Sequence, residues 1–519
     1  MGTQTATLFI LIIYIGVMIG IGFYTSRRTK STDDFMLGGR NVGSWLTAFS
    51  YGTTYFSAVV FIGYAGQFGW SYGVSSTWIG IGNAVLGSML PWIILGKRTR
   101  LMTNHLGAKT MPEFFERRFD SKKLKTFAAA VVFIFLIPYT ASVYNGLANL
   151  FKMVLGLGEN SETVIIIAMA VLSAIYVILG GYAATALNDF FQGMIMLVGI
   201  IAVVICTLNG RGGFSSAVQQ LGEIEAQKGL DTLFGPDPIN LFGVVILTSI
   251  GTWGLPQMVQ KFYAIKSEKA IVKGTVISTL FALVVAGGSY FMGGFIRLYC
   301  TTTGEAGKAE IAVNNEKPAF DTMVPSMLQE ALPDILIGLV VVLVLSASMS
   351  TLSSLVLTSS STLTNDLIKP RVKNFHDKRQ MLTMRILIAV FLLISVLIAC
   401  NKNSSITTLM SYSWGALSGS FLGPFMYGLF KKKTSGAAVA ASFCTGVGIT
   451  LVHMVVFGFD AFGIVKDVAA LGLPIAIQSP INAGAFAMIV SLIIVPVVSA
   501  FTKSPKQEIV DDAFSSVGK

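Results

Sequence analysis

SYGTTYFSA (residues 50–58) and TSIGTWGLPQ (residues 248–257) each interrupt a long apolar run. The second carries Gly251, Gly254 and Pro256, which a continuous helix does not favour. The setting gives the breaks their meaning. Of 519 residues, 53% are hydrophobic and only 12% charged, with a mean hydropathy of +0.71. Soluble chains carry about twice that charge fraction. The chain therefore reads as a polytopic membrane protein, with the lipid bilayer as its solvent.

A helix needs about 20 apolar residues to span a bilayer. About thirteen runs meet that length, near 6–24, 44–72, 75–96, 124–152, 162–180, 186–208, 239–262, 271–299, 334–366, 381–400, 405–430, 435–458 and 480–501. The first is followed by Arg27, Arg28 and Lys30, whereas a cleaved signal peptide carries its positives ahead of the apolar region. The polar loops alternate. One set is basic: Arg27 to Arg40, Lys97 to Lys125, then Lys261, Lys266, Lys269 and Lys273, then Lys369 to Arg385, Lys431 to Lys433, and Lys503 with Lys506. The other set, 209–238 and 300–333, holds Glu223, Glu225, Asp231, Asp237, Glu305, Glu310, Glu316 and Asp321. Cytoplasmic loops carry the Lys and Arg excess. An odd number of spans then places the N-terminus outside and the C-terminus inside. The same alternation accounts for the net charge of +11 without nucleic acid. Cys206, Cys300, Cys400 and Cys444 are widely spaced and form no CxxC or Cys/His cluster, so neither a disulfide framework nor a zinc site is indicated.

With the first span set aside, spans two to six and seven to eleven make two sets of five, and an interrupted helix opens each. Gly and Pro are commoner in membrane helices, which is explanation enough for either break alone. The matched pair points to an inverted repeat with a binding site near the midplane. The divisions are then 1–43 (an extra helix and basic loop), 44–238 and 239–433 (the two repeats), 434–502 (two further helices) and 503–519 (a short polar tail).

SASMSTLSS (346–354) places hydroxyls inside the ninth span. Ala347, Ser350, Thr351 and Ser354 share one helical stripe, with Ser353 beside it. Such a stripe serves either close helix packing or, through converging oxygens, a hard cation such as sodium. Asp189, in AATALNDFFQG, lies near the start of the sixth span. A carboxylate inside a membrane costs about 2.5–3.5 kcal/mol on insertion scales and marks a functional site by default, while a solvated helix end is the plainer alternative. No Lys or Arg in the adjacent run neutralises it; a sodium ion held with Ser350, Ser353 and Ser354 would. Asp366, where the ninth span meets a basic loop, reads as a solvated helix end.

Five stretches resemble the sodium:solute symporters, a family that includes proline, pantothenate, sialic acid and sodium/glucose transporters. They are DDFMLGGR (33–40), GGYAATALNDFFQG (180–193), GLPQMVQKFYA (254–264), MSTLSSLVLTSSSTLTNDL (349–367) and SYSWGALSGSFLGP (411–424). The resemblance implies the all-α leucine-transporter fold, a 5+5 inverted repeat with one helix before it and two after. It implies a main sodium site made by the carbonyls of Thr53, Phe56 and Ala347 with the hydroxyls of Ser350 and Thr351. A second sodium, present in some members, would fall at Asp189, Ser350, Ser353 and Ser354. The substrate positions carried over are Ser57, Val60, Asn83, Tyr139, Thr248, Trp253 and Trp414. Tyr139 matches a tyrosine of the proline-transporter pocket. Two other features of that pocket are missing: an Asp where Tyr55 stands and a Trp where Thr248 stands. Sugar transporters have polar residues at the positions of Val59 and Val60, and sialic-acid transporters an Arg at that of Tyr139, so neither substrate is expected. TTYFSAVVFIG and TALNDFFQG are nearer the pantothenate transporters.

The expected function is sodium-coupled import of a small amino acid or carboxylate, such as proline or pantothenate, by alternating access across the cell inner membrane. One or two sodium ions would couple it, and the monomer would be the working unit. A proton-coupled permease of the same fold is the alternative, with Asp189 as proton carrier. No GxSxG or HExxH motif supports a membrane enzyme.

Overall fold

Ten helices of the computed structural model are long and apolar enough to cross a membrane among the described residues, which are 3–27, 29–158, 161–225, 227–314, 317–401, 405–457 and 475–517. Arg28, Glu316 and the last residue of the 435–458 span lie outside them. In chain order the elements are α1 (Thr3–Ser26), α2 (Ser44–Tyr55), α3 (Ala65–Tyr72), α4 (Thr77–Ala84), α5 (Lys97–His105), α6 (Met111–Phe119), α7 (Lys122–Val154), α8 (Ser161–Asn209) and α9 (Pro238–Ile250). There follow α10 (Pro256–Ala264), α11 (Glu268–Gly293), α12 (Phe320–Ala331), α13 (Asp334–Thr362), α14 (Asp377–Ala399), α15 (Ile406–Phe430), α16 (Gly436–Phe457), α17 (Pro480–Phe501) and α18 (Gln507–Ser515). Two small two-stranded ladders lie between Cys300 and Pro318.

Burial sorts these helices into a centre and a rim. The apolar window of α13 is 89% buried, against 28% for α1 and 33% for α14 and α17. The rim helices turn Ile12, Ile386, Leu393, Phe486 and Ile493 outward, as a lipid-facing surface requires. The 49 residues of α8 would extend about 74 Å if straight, more than twice the hydrocarbon core. They do not run straight. Gly181 takes φ 57° and ψ −146°, and an added Cβ there would sit 2.7 Å from the Phe35 ring. The expected spans 162–180 and 186–208 are the two arms on either side of it.

Both interruptions are present. α2 stops at Tyr55, and the chain passes extended through Phe56 (φ −108°, ψ 113°) before rewinding as a π-wound stretch, Val59–Tyr64, that leads into α3. The second break is a 3-10 turn, Gly251–Trp253, followed by extended Leu255 (φ −79°, ψ 121°) and by Pro256 opening α10. Backbone groups freed inside a membrane need protein partners. Ala58 N–H donates to Ser348 Oγ at 3.1 Å, and the Gly251 carbonyl accepts from Ser418 Oγ at 2.5 Å. Gly254 allows α15 to approach closely, since a Cβ there would lie 2.9 Å from the Leu422 nitrogen.

Two expectations need correction. Lys261 is not part of a solvated basic loop: α10 continues to Ala264, every one of its residues is buried, and Lys261 is 2% exposed. Asp366 is not a solvated helix end. It is 1% exposed, because α6 folds over it and the Thr110 hydroxyl donates to its Oδ2 at 2.7 Å.

Candidate functional site

The break in α2 faces the hydroxyl stripe of α13. Ser350 Oγ donates to Thr53 Oγ1 at 2.7 Å. The Thr351 hydroxyl lies 3.4 Å from the Thr53 carbonyl, 3.1 Å from that of Thr54 and 3.2 Å from that of Ala347. A hydroxyl has one proton to give. Three carbonyls around a single donor therefore form a cluster richer in acceptors than in protons, which a hard cation can complete. Four of the five positions expected for the main sodium, Thr53, Ala347, Ser350 and Thr351, meet in these contacts. The fifth, Phe56, is the extended residue at the break itself.

Asp189 stands on α8, beside the same stretch of α2. It is fully buried rather than solvated at a helix end, and the Ser50 hydroxyl donates to its Oδ2. Its Oδ1 has no partner among the described residues. Lys261 reaches the same place from α10. Its ammonium donates to Ser50 Oγ at 2.8 Å and to Ser354 Oγ at 3.0 Å. Ser354 also bonds Thr54 Oγ1 at 2.8 Å, while the Ser353 hydroxyl is turned to its own helix, donating to the Ser350 carbonyl at 2.8 Å.

Aromatic rings crowd the other side of the break. Tyr139 on α7 meets Trp414 on α15 edge-on, with centroids 5.9 Å apart. Tyr55 stacks on Trp414 at 6.1 Å and on Phe56 at 4.4 Å, and its hydroxyl donates to the Thr248 carbonyl. Asn83 on α4 accepts from Ser249 at 3.0 Å. Trp414 Nε1 and Asn83 Nδ2 are buried donors without a partner among the described residues. Ser57 and Val60 line a small cleft beside Phe56 and Ala347. The indole N–H of Trp253 is spent on the Leu86 carbonyl at 2.8 Å.

Sequence reasoning missed Ser50, Tyr55 and Lys261. A usable signal existed for the lysine. It stands between Val259 and Phe262 in a helix opened by Pro256, and a buried Asp189 calls for a positive partner.

The basic-loop end of the bundle is closed by polar contacts. Asn365 donates to Glu113 Oε2 at 3.1 Å, Glu113 pairs with Arg117 at 2.6 Å, and Arg40 donates to the Ala108 carbonyl at 2.6 Å. Arg118 on α6 is fully buried and donates to the carbonyls of Gly428 and Lys431, each at 3.0 Å. Its removal from water lowers its pKa to about 10. At the opposite end of α15, Asp321 Oδ2 accepts from the Ile406 N–H at 3.2 Å, and burial pushes that carboxyl up to about 6.

The chain is similar to known transporters along nearly its whole length. It is 29% identical over 518 residues to the sodium/proline symporters of Staphylococcus aureus strains JH9 and JH1, covering 96% of this chain and 93% of each relative. Among solved structures, it superposes on a Na+-coupled sialic acid symporter with a TM-score of 0.71 and 18% identity, over 97% of this chain and 99% of that one. It superposes on Mhp1, a nucleobase-cation-symport-1 family transporter, with a TM-score of 0.53 and 15% identity, over 93% and 98%. The fold is thus the leucine-transporter-like one of Na+-coupled symporters. The family model for the sodium:solute symporters matches residues 35–446, and with the broken helices and oxygen cluster already described, the chain belongs to the sodium:solute symporter family.

Proposed function

We propose that this sodium-coupled importer of the cell membrane carries a small zwitterionic amino acid, with proline the first candidate, and that it binds the coupling sodium between α2 and α13. The observation that carries this reading is the Thr351 hydroxyl set among three carbonyls at the α2 break. Sodium there would be held by the carbonyls of Thr53, Phe56 and Ala347 and by the hydroxyls of Ser350 and Thr351. It would tie the unwound segment to α13 and so order one wall of the solute site.

The solute would lie by Ser57 and Val60, under Tyr139 and Trp414, near Thr248 and Asn83, with Trp253 acting at the edge. The unpartnered Trp414 and Asn83 donors suit a carboxylate, and an uncharged aromatic wall suits a small apolar ring. The sodium/proline symporters among the relatives support proline. Tyr55 and Thr248, which stand where the proline transporters carry Asp and Trp, make pantothenate the second solute to test.

The full reading has thirteen crossings, counting both arms of α8 and the broken helices, with the N-terminus outside. The monomer is the working unit. A tenfold sodium gradient contributes about 1.4 kcal/mol and a 100 mV potential about 2.3 kcal/mol per charge. One sodium with a zwitterion could then sustain an accumulation on the order of several hundred-fold. The test is uptake of labelled L-proline and of pantothenate into proteoliposomes, in sodium chloride and in choline chloride. Sodium-dependent proline uptake is expected. Uptake driven by a pH gradient in sodium-free buffer would overturn the sodium reading.

A further inference from the structure

The pocket that the family resemblance would give to a second sodium already holds a positive group of this chain. Lys261 Nζ lies 2.8 Å from Ser50 Oγ and 3.0 Å from Ser354 Oγ, with the face of the Tyr182 ring 5.2 Å away. Ser50 accepts from the lysine and passes its own proton toward Asp189, so one hydroxyl links the cation to the carboxylate. The residue before Lys261 anchors α10 at this contact. Gln260 accepts from Thr358 at 2.8 Å and donates to the Met36 carbonyl at 3.3 Å.

We propose that Lys261 is a tethered cation that takes the place of a second sodium, reaching Ser354 of the expected donor set directly and Asp189 through Ser50, and thereby limits this transporter to one sodium per cycle. The proposal extends the main-site reading above. Three features carry it. The ammonium has its two hydroxyl acceptors within hydrogen-bond distance and an aromatic face beyond them, the surroundings of a bound cation. Lys261 and Asp189 already balance one another, so a sodium added to this buried space would be an unpaired charge. Ser353, expected among the ligands, is turned away to the Ser350 carbonyl. A lysine tied to α10 cannot leave with the solute, whereas a sodium ion could. Its charge thus stabilises Asp189 without adding to the transported charge.

The test counts sodium ions without needing to know the solute. Equilibrium binding of ²²Na+ to the purified full-length protein is measured for the wild type, Lys261→Met and the double variant Lys261→Met/Asp189→Asn. One site in the wild type, two in Lys261→Met and one in the double variant is the expected pattern. Two sites in the wild type would overturn the proposal, as would equal counts in the wild type and Lys261→Met. If Lys261→Met does not fold, the wild-type count decides alone: one site upholds the proposal and two sink it. The main-site reading fails separately, when Ser350→Ala leaves the wild-type sodium affinity unchanged.

Discussion

Ser350 and Thr53, 297 residues apart in the chain, are joined by a 2.7 Å hydrogen bond between their hydroxyls, which ties α13 to the last turn before the break in α2. Ser350→Ala removes one proposed sodium ligand and one side of this tie. Thr351→Ala leaves the carbonyls of Thr53, Thr54 and Ala347 without their shared donor. Each variant is expected to raise the sodium concentration for half-maximal uptake roughly tenfold, the scale of one lost buried polar contact. Initial uptake rates against sodium concentration provide the measurement.

Trp414→Phe keeps an aromatic ring against Tyr139 and Tyr55 but removes the unpartnered Nε1–H. Proline affinity should fall about tenfold, the cost of one charge-assisted hydrogen bond. Sodium alone should still raise the melting temperature of the variant. An unchanged proline affinity would move the carboxylate elsewhere in the pocket.

Arg118→Ala should lower stability by about 2 kcal/mol, since the buried Gly428 carbonyl loses its donor while the Lys431 carbonyl keeps the Thr434 hydroxyl. Arg118→Lys can reach fewer of those acceptors at once and should recover only part of the loss. Thermal unfolding in detergent would rank the three proteins.

Asp321 carries the pH prediction. Its carboxyl is held up at about 6 in the folded protein, against an ordinary value of 3.8. A raised acid pKa means that the folded state holds the proton more tightly than the unfolded one. The resulting stabilisation is fully present below pH 3.8 and is lost as pH rises through about 6. Melting temperatures between pH 5 and 7 should therefore fall with increasing pH at this site. Asp321→Asn keeps an acceptor for the Ile406 N–H and should flatten that part of the profile.

Much of this structure can be read from the chain. The lengths of the apolar runs set the helices, and Gly251, Gly254 and Pro256 mark one break as SYGTTYFSA marks the other. The spacing of Ala347, Ser350, Thr351 and Ser354 puts their oxygens on one stripe before any partner is known. Lys261 and Asp366 escaped for a common reason. Each lies where an apolar run gives way to charged residues, so a local reading exposes it to water. Burial comes from chain far away in sequence: α2, α8 and α13 around Lys261, and α6 over Asp366. Solvation at a helix end depends on what covers that end, and hydropathy along one segment carries no trace of its cover.

α15 is gripped at both ends by helices lying outside the ten candidate crossings. Asp321 of α12 holds its first N–H, and Arg118 of α6 holds its last carbonyls. A beam clamped at both ends tilts only by carrying its clamps along or by releasing one. A rocking cycle would then either move α12 and α6 with α15 or open one grip, which makes the two short helices latches of one lever. Where the cycle opens a grip, a binder that fastens α12 to the start of α15 would stall the transporter from the face opposite to one that fastens α6 to its end.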